Sequence, residues 1–420
     1  MTDPSDLAAR VRDGDLRLHE LEAHADHETA AAARRELLEA ETDADLSTVG
    51  DYAFDAETAD PNIENMVGGA QVPMGVVGPV PVNTSESRPA GDRTAEQSGH
   101  DGAADGEYYL PLATSEGALV ASVNRGCSAI RASGGATARV LKSAMTRAPV
   151  FSVPGVAEAG DVAAWVRENT DTLAEAAEAT TSHGELRDVT PYVVGDSVFL
   201  RFAYDTKDAM GMNMATIATE AACEVVEAET PASLVALSGN LCTDKKPAAI
   251  NAIEGRGRTV AADVLVPHEQ VEDRLKTTAA AIAEANTRKN LVGSLKAGSL
   301  GANAQAANVV AAAFLALGQD IAQVVEGSNA ITTVEEREEG LYASVTLASL
   351  EVGTVGGGTK LPTQAEALDV VGVRGGGDPP GANADALAEI IAVGALAGEL
   401  SLLGALASSN LASAHEELGR

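Results

Sequence analysis

Residues 238–251, with the sequence SGNLCTDKKPAAIN, bring two lysines and an aspartate together in a chain that contains little lysine. Lys245 and Lys246 are two of eight lysines, against 62 acidic residues. Pro247 argues against an ordinary helix interior, and the preceding Gly-Asn pair is typical of a loop. An ammonium group on a loop can hold a carbonyl oxygen as it becomes an anion. The lysine pair therefore indicates an oxyanion site, although a solvated basic turn would have the same residue content.

Three further ionisable residues stand where chemistry could occur, and each also has a structural explanation. Glu116 follows a Thr-Ser pair at a predicted helix start, where Ser115 would be the N-cap and the helix dipole favours an acid. Asp320 lies in a predicted helix with apolar neighbours, so its carboxylate needs a partner. A lysine would satisfy it, and the resulting ion pair could be catalytic or purely structural. His415, at the predicted end of the last helix, would donate a proton only if the tail folds over a site. Otherwise it is a helix cap.

Two segments have the composition of a nucleotide site. Residues 208–214 (DAMGMNM) place three of the seven methionines at a predicted helix start, where phosphate can bind and thioethers can line a flat ring. Residues 353–359 (GTVGGGT) allow the backbone to approach a ligand, but they lack the GxGxxG pattern of a Rossmann site. A flexible core patch and a tight strand-to-helix loop explain the two segments equally well.

Hydrophobic patterns predict the elements that carry these residues. Residues 4–40 are predicted to be helical, residues 65–82 an extended connection, and residues 83–107 a flexible surface loop. Beyond residue 250 the prediction is mainly Ala-rich helix, with three elements singled out: helices 302–326 and 385–417 and a strand at 341–348.

The segment between them predicts a separate unit. Its predicted order is strand 150–153, helix 160–180, a hairpin of strands 191–194 and 197–203 across Gly195-Asp196, helix 212–229 and strand 233–237. This βαββαβ order is that of a ferredoxin-like split βαβ domain. The predicted fold class is therefore α+β, with a helix-rich large domain, an inserted ferredoxin-like domain and a small helical N-terminal region. The predicted boundaries are 1–82 for the N-terminal region and connection, 83–148 plus 238–420 for the large domain, and 149–237 for the small domain.

Composition limits the compartment and the partners. The 420 residues are 45% hydrophobic and carry a formal net charge of −33, so the chain is globular and its surface repels nucleic acid and anionic lipid. Such a surface also repels itself, which indicates a concentrated-salt cytosol. Three scattered cysteines indicate a reducing compartment, and we find neither a leader nor an uninterrupted apolar stretch of membrane length. We expect a cytoplasmic protein with no nucleic-acid or membrane partner.

The histidines of the N-terminal region do not predict a metal site. His19, His24 and His27 match no zinc spacing and are expected on a solvated helix face.

Eight segments in order resemble 3-hydroxy-3-methylglutaryl-CoA (HMG-CoA) reductase. They extend from residue 64 nearly to the end of the chain: ENMVGGAQVPMGVVGP, PLATSEGALVASVNRGCSAI, VLKSAMTRAPV, DAMGMNM, SGNLCTDKKPAAINAIEGRG, NLVGSLKAGS, AANVVAAAFLALGQD and EVGTVGGGT. DKKPAAIN and DAMGMNM are the most specific of these. The two lysines resemble the class I enzymes of eukaryotes and many archaea, and the acidic composition resembles that of a halophilic archaeon.

The resemblance implies reduction of (S)-HMG-CoA to (R)-mevalonate and CoA by two NADPH, in isoprenoid and membrane-lipid biosynthesis by the mevalonate pathway. No metal or flavin is implied. Lys245 would hold the thiohemiacetal oxyanion, and Asp320 would lie between Lys245 and Glu116 and tune both. Glu116, with a raised pKa, would donate a proton as the aldehyde becomes an alcohol, and His415 would protonate the CoA thiolate.

The resemblance also implies three binding sets and an assembly. Contacts to the carboxylate end of the substrate fall on Arg147, Ser238, Asp244, Lys246, Lys289 and Asn308. CoA contacts fall on Ser122, Asn124, Arg125 and Lys276. NADPH contacts fall on Ser182, His183, Asp208, Met210, Gly211, Met212, Asn213, Met214, Gly356 and Gly357. The large domain would bind CoA and substrate and the small domain NADP. Because the family shares its sites across the DKK segment, a homodimer or dimer of dimers is implied.

Two positions depart from the family pattern. Gly69 stands where animal relatives carry a tyrosine over the adenine of CoA, so that contact is lost or replaced. The Ser182-His183 pair stands where relatives carry a Ser-Arg pair against the 2′-phosphate, and neutral histidine holds phosphate less well than arginine.

Two other interpretations remain open at this stage. The NADH-linked degradative class would run the reaction from mevalonate to the thioester, although the DKK sequence argues against it. A non-catalytic CoA- or nucleotide-binding regulator would leave unexplained why Glu116, Lys245, Asp320 and His415 occur together.

Overall fold

The computed structural model describes residues 3–42, 44–83 and 104–408, which form a mixed α/β fold. The α-helices are α1 Pro4–Arg12, α2 His27–Thr42, α3 Ala56–Ala59, α4 Leu119–Ala132, α5 Val156–Glu168, α6 Thr170–Glu178, α7 Met212–Glu229, α8 Ala249–Ile253, α9 His268–Gln270, α10 Ala279–Ala285, α11 Ser294–Ala297, α12 Ala306–Ala316, α13 Val324–Gly327, α14 Pro362–Val371 and α15 Ala382–Ala407. The strands are β1 Met74–Asn83, β2 Gly106–Ala113, β3 Ala136–Arg147, β4 Val150–Ser152, β5 Glu185–Val194, β6 Ser197–Asp205, β7 Ser233–Ala236, β8 Gly257–Pro267, β9 Ala330–Arg337 and β10 Gly340–Leu350. Short 3-10 turns occupy Leu18–Ala23, Ile321–Gln323 and Gly357–Lys360, and π-helical turns occupy Val271–Leu275 and Asn286–Gly293.

Strand β3 joins two parts of the sheet. Most of its length pairs antiparallel with β8, ending with Ala144 opposite Gly257, and its last three residues pair with β6, beginning with Met145 opposite Tyr204. On the β8 side the order continues through β10 to β9, and β1 and β2 lie beside the start of β3. On the other side β4 continues from β3 and lies between β6 and β7, while β5 covers the far edge of β6.

The larger hydrophobic core surrounds α15, which contacts α4, α12, β3, β8 and β10. A helix that is apolar on all sides is buried on all sides, and nearly every residue of α15 is buried. Gly126 of α4 makes the closest approach, because a Cβ there would lie 1.9 Å from the carbonyl oxygen of Ala397. By length and composition α15 could also cross a membrane, although Glu389 and Glu399 interrupt its apolar sequence. With 83% of its apolar window buried in the fold, α15 is the central core helix.

A second, separate core lies beneath β4, β5, β6 and β7 and is covered by α5, α6 and α7. These strands are all antiparallel neighbours, in the order β7-β4-β6-β5. The sequence predicted these elements, with α7 matching the predicted 212–229 in full. One prediction was wrong, because the expected helix 160–180 is two helices. Asn169 leaves helical geometry at φ −121°, and its side-chain amide donates to the Trp165 carbonyl at 2.8 Å.

The expected helix 302–326 was also wrong. Helix α12 ends at Ala316, and Gly318 then takes a left-handed conformation at φ +68°. A Cβ at Gly318 would lie 2.4 Å from the carbonyl oxygen of Gly358, so close contact between two loops breaks the helix. The chain continues through the Ile321–Gln323 turn into α13.

The remaining expectations are met in part. The N-terminal region is helical, and the strand predicted at 341–348 is β10. The expected loop 83–107 lies mostly outside the described residues, although its end belongs to β2. The predicted helix 385–417 begins earlier, at Ala382, and residues 409–417 lie outside the described residues, as does His415.

Candidate active site

The DKK segment is a loop held in an unusual backbone conformation. Three of its non-glycine residues, Asn240, Thr243 and Lys245, have positive φ angles of 65°, 51° and 58°. Such angles cost energy in residues with a Cβ and persist only where the surroundings impose them. Part of that restraint is Asn251, whose side chain bonds both the hydroxyl and the carbonyl of Thr243. The loop is therefore a shaped feature of the fold and not a solvated basic turn.

Lys245 reaches Asp320 across the chain. Its Nζ lies 2.8 Å from Asp320 Oδ2, and both side chains remain partly exposed, at 44% and 31%. The sequence placed Asp320 inside a helix, but in the structure it caps the Ile321–Gln323 turn. Its carboxylate accepts a hydrogen bond from the Ala322 N–H at 3.1 Å. The hydrogen bond to Asp320 raises the pKa of Lys245 above its ordinary value. The pair thus holds a charged, accessible ammonium, which is what stabilisation of an oxyanion requires.

A buried charge cluster lies behind the lysine, and the sequence reasoning missed it. The Arg256 guanidinium is fully buried and contacts the carboxylates of Glu326, at 3.1 Å, and of Glu351. Asp244 lies 3.1 Å from the same guanidinium. Burial raises the pKa of Glu326 and raises that of Glu351 well above its usual range. The only signal for it in the sequence was the Glu-Gly-Arg-Gly run at residues 254–257, which begins eight residues after Lys246.

The two suspected nucleotide segments line one cleft of about 980 Å³, with Asp320 at its wall. Residues 209–214 form one side and residues 355–359 another, and Ala209 pairs with Val355 in a parallel bridge. Gly353 permits this contact, because a Cβ there would lie 2.4 Å from the amide nitrogen of Met210. The cleft therefore brings a ligand-sized space, glycine backbone and three methionines to the lysine–aspartate pair.

Asp208 has an environment that the sequence did not predict. Its carboxylate accepts from the backbone N–H groups of Gly377, Gly381 and Ala384, at 2.9, 2.7 and 3.1 Å, and it is buried. It anchors the loop before α15 and does not line the cleft. Ser182 and His183 lie on an exposed turn that also does not line the cleft, although a Cβ at the following Gly184 would lie 2.4 Å from Met214 Sδ.

Comparison with known proteins identifies the family. Residues 30–420 match the family model described as hydroxymethylglutaryl-coenzyme A reductase. The chain belongs to the HMG-CoA reductase family. It is 70% identical to the 3-hydroxy-3-methylglutaryl-coenzyme A reductase of Haloferax volcanii over 420 residues, which covers 100% of both chains. It is 52% identical to the enzyme of the same description from Pyrococcus abyssi, over 99% of each chain.

A solved structure supports the fold of this family member. The chain superposes with a TM-score of 0.64 on the class II 3-hydroxy-3-methylglutaryl-CoA reductase from Streptococcus pneumoniae, bound to NADPH in open conformations. The alignment covers 93% of this chain and 96% of the other at 22% sequence identity, so the likeness concerns the fold alone.

Two of the four residues that the family resemblance assigns to catalysis, Lys245 and Asp320, meet in the structure. Glu116 does not join them, since its exposed carboxylate makes no hydrogen bond or ion pair within the described part of the chain. The expected Ser115 cap was wrong. Helix α4 begins at Leu119, and the Glu116 N–H instead donates to Thr114 Oγ1 at 3.0 Å.

Three of the residues expected at CoA lie on α4. Ser122 Oγ and Arg125 Nε both lie near Ser401 Oγ, at 3.0 and 3.1 Å, which ties that face of α4 to α15. Asn124 accepts from the Gly78 N–H at 3.2 Å. Lys276 lies apart, exposed and 3.7 Å from Asp273.

Three of the residues expected at the substrate carboxylate, Ser238, Asp244 and Lys246, lie in the DKK loop. Lys246 Nζ donates to the Asp244 carbonyl at 2.9 Å, and Ser238 Oγ lies 3.5 Å from Cys242 Sγ. Lys289 Nζ donates to Asn290 at 3.2 Å. Arg147 Nε is buried without a partner among the described residues. Asn308 lies half-buried in the first turn of α12.

Two observations bear on the remaining sequence expectations. Gly69 lines a cavity of about 410 Å³ together with Tyr52 and Phe54, whose ring centroids lie 5.2 Å apart. Residues 3–42, 44–83 and 104–408 contain no group of three or more His, Cys, Asp or Glu side chains that could hold a metal ion.

Proposed function

We propose that this chain is a biosynthetic HMG-CoA reductase that converts (S)-HMG-CoA to (R)-mevalonate and CoA for isoprenoid lipid biosynthesis. The observation that carries the proposal is the 2.8 Å ion pair between Lys245 and Asp320 at the wall of a cleft formed by the DAMGMNM and GTVGGGT segments. Membership of the family supplies the chemistry that this geometry supports.

The cleft suits a nicotinamide nucleotide. Its volume, its glycine backbone and its methionine thioethers fit a flat ring with phosphates, and the N-terminus of α7 lies beside it. We therefore assign NADPH to Met210, Gly211, Met212, Asn213, Met214, Gly356 and Gly357, with Asp208 as the anchor of the loop. NADPH would supply one hydride in each of two steps. Ser182 and His183, on the turn beside Met214, are the residues left to contact its 2′-phosphate.

The proposed roles of the site residues follow the movement of charge. In the first reduction the thioester carbonyl becomes a thiohemiacetal oxyanion, which Lys245 stabilises. The C–S bond then breaks, His415 protonates the departing thiolate, and an aldehyde remains. In the second reduction the aldehyde becomes an alcohol and Glu116 donates the proton. Asp320 keeps Lys245 charged throughout.

Glu116 reaches this chemistry in the proposed assembly, a homodimer or dimer of dimers with shared sites. Within one chain it is exposed and makes no contact with the ion pair among the described residues. An exposed apolar surface lies close to the DKK loop, where Leu300 and Val325 line a shallow cavity with Pro247. Leu291, Val292 and Leu295 extend it along the preceding helical turns. A second copy of the chain would cover this surface.

We propose the domain division 1–82, 83–148 plus 238–420, and 149–237. Two cores separated across β3, one around α15 and one beneath β4 to β7, support it. The antiparallel strand order β7-β4-β6-β5 supports a ferredoxin-like NADP-binding insertion. The net charge of −33 supports a concentrated-salt cytosol.

The test is oxidation of NADPH and, separately, NADH when HMG-CoA is added in concentrated KCl. Two NADPH oxidised per thioester, with NADH a poor donor, is the expected result. Preference for NADH would instead identify the degradative class, and a folded protein that oxidises neither would be a binding protein without this activity.

A further inference from the structure

Glu326 and Asp320 hold Lys245 at two points from one short segment. Asp320 precedes the Ile321–Gln323 turn and holds the ammonium group, while Glu326 follows in α13 and holds the backbone. Glu326 Oε1 accepts from the Lys245 N–H at 2.6 Å. The two acids therefore fix both ends of the same lysine.

The backbone contact acts where the chain is strained. Lys245 has a φ of +58°, which a residue with a Cβ adopts only at a cost of about 1–2 kcal/mol. Its N–H points inward to a carboxylate that is 1% exposed. A buried hydrogen bond is costly to leave unmade, because the donor and the acceptor would then lack both water and a partner, so Glu326 can impose this conformation.

Arg256 holds Glu326 in turn. Its Nη1 lies 3.1 Å from the same Oε1 that accepts from Lys245, and also contacts Glu351. Its Nη2 lies 3.1 Å from Asp244 and 2.6 Å from Met212 Sδ, at the cofactor cleft. One guanidinium thus connects the acid behind Lys245, the DKK loop and the first residue of α7.

We propose that Glu326 is a positioning residue for the reductase reaction: by accepting the Lys245 N–H, and itself held by Arg256, it aims the Lys245 ammonium at Asp320 and at the reacting oxygen. The effect of Glu326 on catalysis rests on the proposed function. Its effect on the position of the Lys245 side chain does not. Glu326 touches neither Nζ nor the cleft, so its direct effect on the site is through the backbone of Lys245.

The variants separate positioning from charge and from burial. Glu326→Gln keeps an oxygen for the Lys245 N–H, and its amide group takes the place of Oε2, which has no hydrogen-bond partner among the described residues. Glu326→Ala removes the acceptor, and Glu326→Asp keeps the charge but withdraws it by one methylene. Glu389→Ala is the matched control, because Glu389 is also a buried acid that accepts backbone N–H groups, but those of Ala104 and Val140 and not that of Lys245.

The first readout is turnover in concentrated KCl. We expect kcat to fall about 10- to 100-fold in Glu326→Ala and Glu326→Asp with KM nearly unchanged, since misplacing a catalytic group by about 1 Å costs this much. Glu326→Gln should recover most of the rate, and Glu389→Ala should lose thermal stability while keeping its kcat. Wild-type kcat in a folded Glu326→Ala or Glu326→Asp enzyme would overturn the proposal.

The second readout does not depend on activity. Competitive amine labelling with mass spectrometry, between pH 8 and 10, reports the unprotonated fraction of each of the eight lysines. If Glu326 aims Lys245 at Asp320, loss of the Glu326 carboxylate weakens the Lys245–Asp320 pair and lowers the pKa of Lys245. Labelling of Lys245 should then rise relative to the other seven lysines. Unchanged relative labelling in both Glu326→Ala and Glu326→Asp would overturn the proposal even in a preparation that reduced no HMG-CoA, so the inference and the proposed function fail separately.

Discussion

Asp320 Oδ2 lies 2.8 Å from Lys245 Nζ because α12 ends four residues before the aspartate. Had the helix continued, the carboxylate would have stayed among apolar side chains. The break at Gly318 instead leaves Asp320 as the cap of a turn, facing the cleft that Gly318 also lines. The close contact between Gly318 and Gly358 therefore ends the helix, and this places Asp320 where it can pair with Lys245.

Replacing Lys245 with alanine should remove the oxyanion contact. We expect kcat to fall by about 10²–10³-fold, which is the usual effect of losing one oxyanion donor, while NADPH still binds. Turnover and NADPH fluorescence would be measured together. Lys142→Ala is the control, since Lys142 also pairs with an acid, Glu254, but on the surface and outside the cleft. Substantial remaining turnover in Lys245→Ala would disprove the oxyanion role.

Replacing Asp320 with asparagine should shift the pH profile. The Asp320 carboxylate raises the pKa of Lys245, so the lysine of the native enzyme keeps its charge further into the alkaline range. Asparagine removes this effect, and the pKa of Lys245 falls. We expect the alkaline limb of kcat/KM to move to lower pH in Asp320→Asn, beyond a general loss of rate. The same limb in both enzymes would show that Lys245 does not govern it.

The cleft that we propose binds NADPH depends on Gly353. A Cβ at this position would meet the Met210 amide nitrogen at 2.4 Å, so Gly353→Ala must push apart the loops that form the cleft. We expect KM for NADPH to rise at least about 10-fold, with KM for HMG-CoA much less affected. Gly160→Ala makes the same chemical change at an exposed position of α5, where a Cβ meets nothing within 4 Å. It should leave both KM values unchanged and stabilise the helix by about 0.5–1 kcal/mol.

Glu389 should make stability fall as the pH rises. Burial raises its pKa to about 7, with Asp385 adding to the effect, and the N–H groups of Ala104 and Val140 and the charge of Arg139 opposing it. The fold thus favours the protonated acid, so its contribution is complete below the ordinary pKa of 4.5 and is lost as the pH passes 7.

We expect the free energy of unfolding of the wild type to drop, between pH 4.5 and 8, by on the order of 3 kcal/mol more than that of Glu389→Gln, which stays neutral. Denaturant titrations in concentrated KCl would measure the difference. Glu366→Gln, an exposed change on α14, should keep the wild-type slope. Equal slopes in wild type and Glu389→Gln would refute the assignment.

The sequence predicted what depends on local pattern. The hydrophobic pattern located α7 to the residue, and the Gly195-Asp196 turn located the β5–β6 hairpin, because helical periodicity and two-residue turns are encoded within a few neighbours. Asp320 does find a lysine, as expected, but for a different reason: it is a partly exposed turn cap and not a carboxylate among apolar helix side chains.

What the sequence missed depends on contacts between distant segments. Nothing near Gly318 shows that Gly358 will approach it, so the end of α12 could not be predicted locally. The same holds for Glu326, which lies 81 residues from the lysine whose N–H it accepts. The surroundings of Asp208 could not be predicted locally either, because its carboxylate accepts N–H groups from Gly377, Gly381 and Ala384, in the loop before α15 and its first turn.

The proposal that two chains share an active site leads to a last prediction, which concerns assembly. Leu295 is 83% exposed on α11, beside the apolar surface that adjoins the DKK loop. Leu295→Glu places a charge where we propose that a second copy packs, so the dimer should weaken without loss of monomer stability. Val156→Glu, equally drastic at an exposed position of α5 in the small unit, should leave the dimer intact.

Sedimentation in concentrated KCl would measure the assembly, and turnover would be followed over a range of protein concentrations. Because Glu116 contacts neither Lys245 nor Asp320 within the described part of one chain, we expect the activity of Leu295→Glu to fall with its dimer fraction and to recover as the protein is concentrated. A monomeric variant with full activity would mean that one chain brings its own Glu116 to the lysine, and the proposal of a shared site would have to be abandoned.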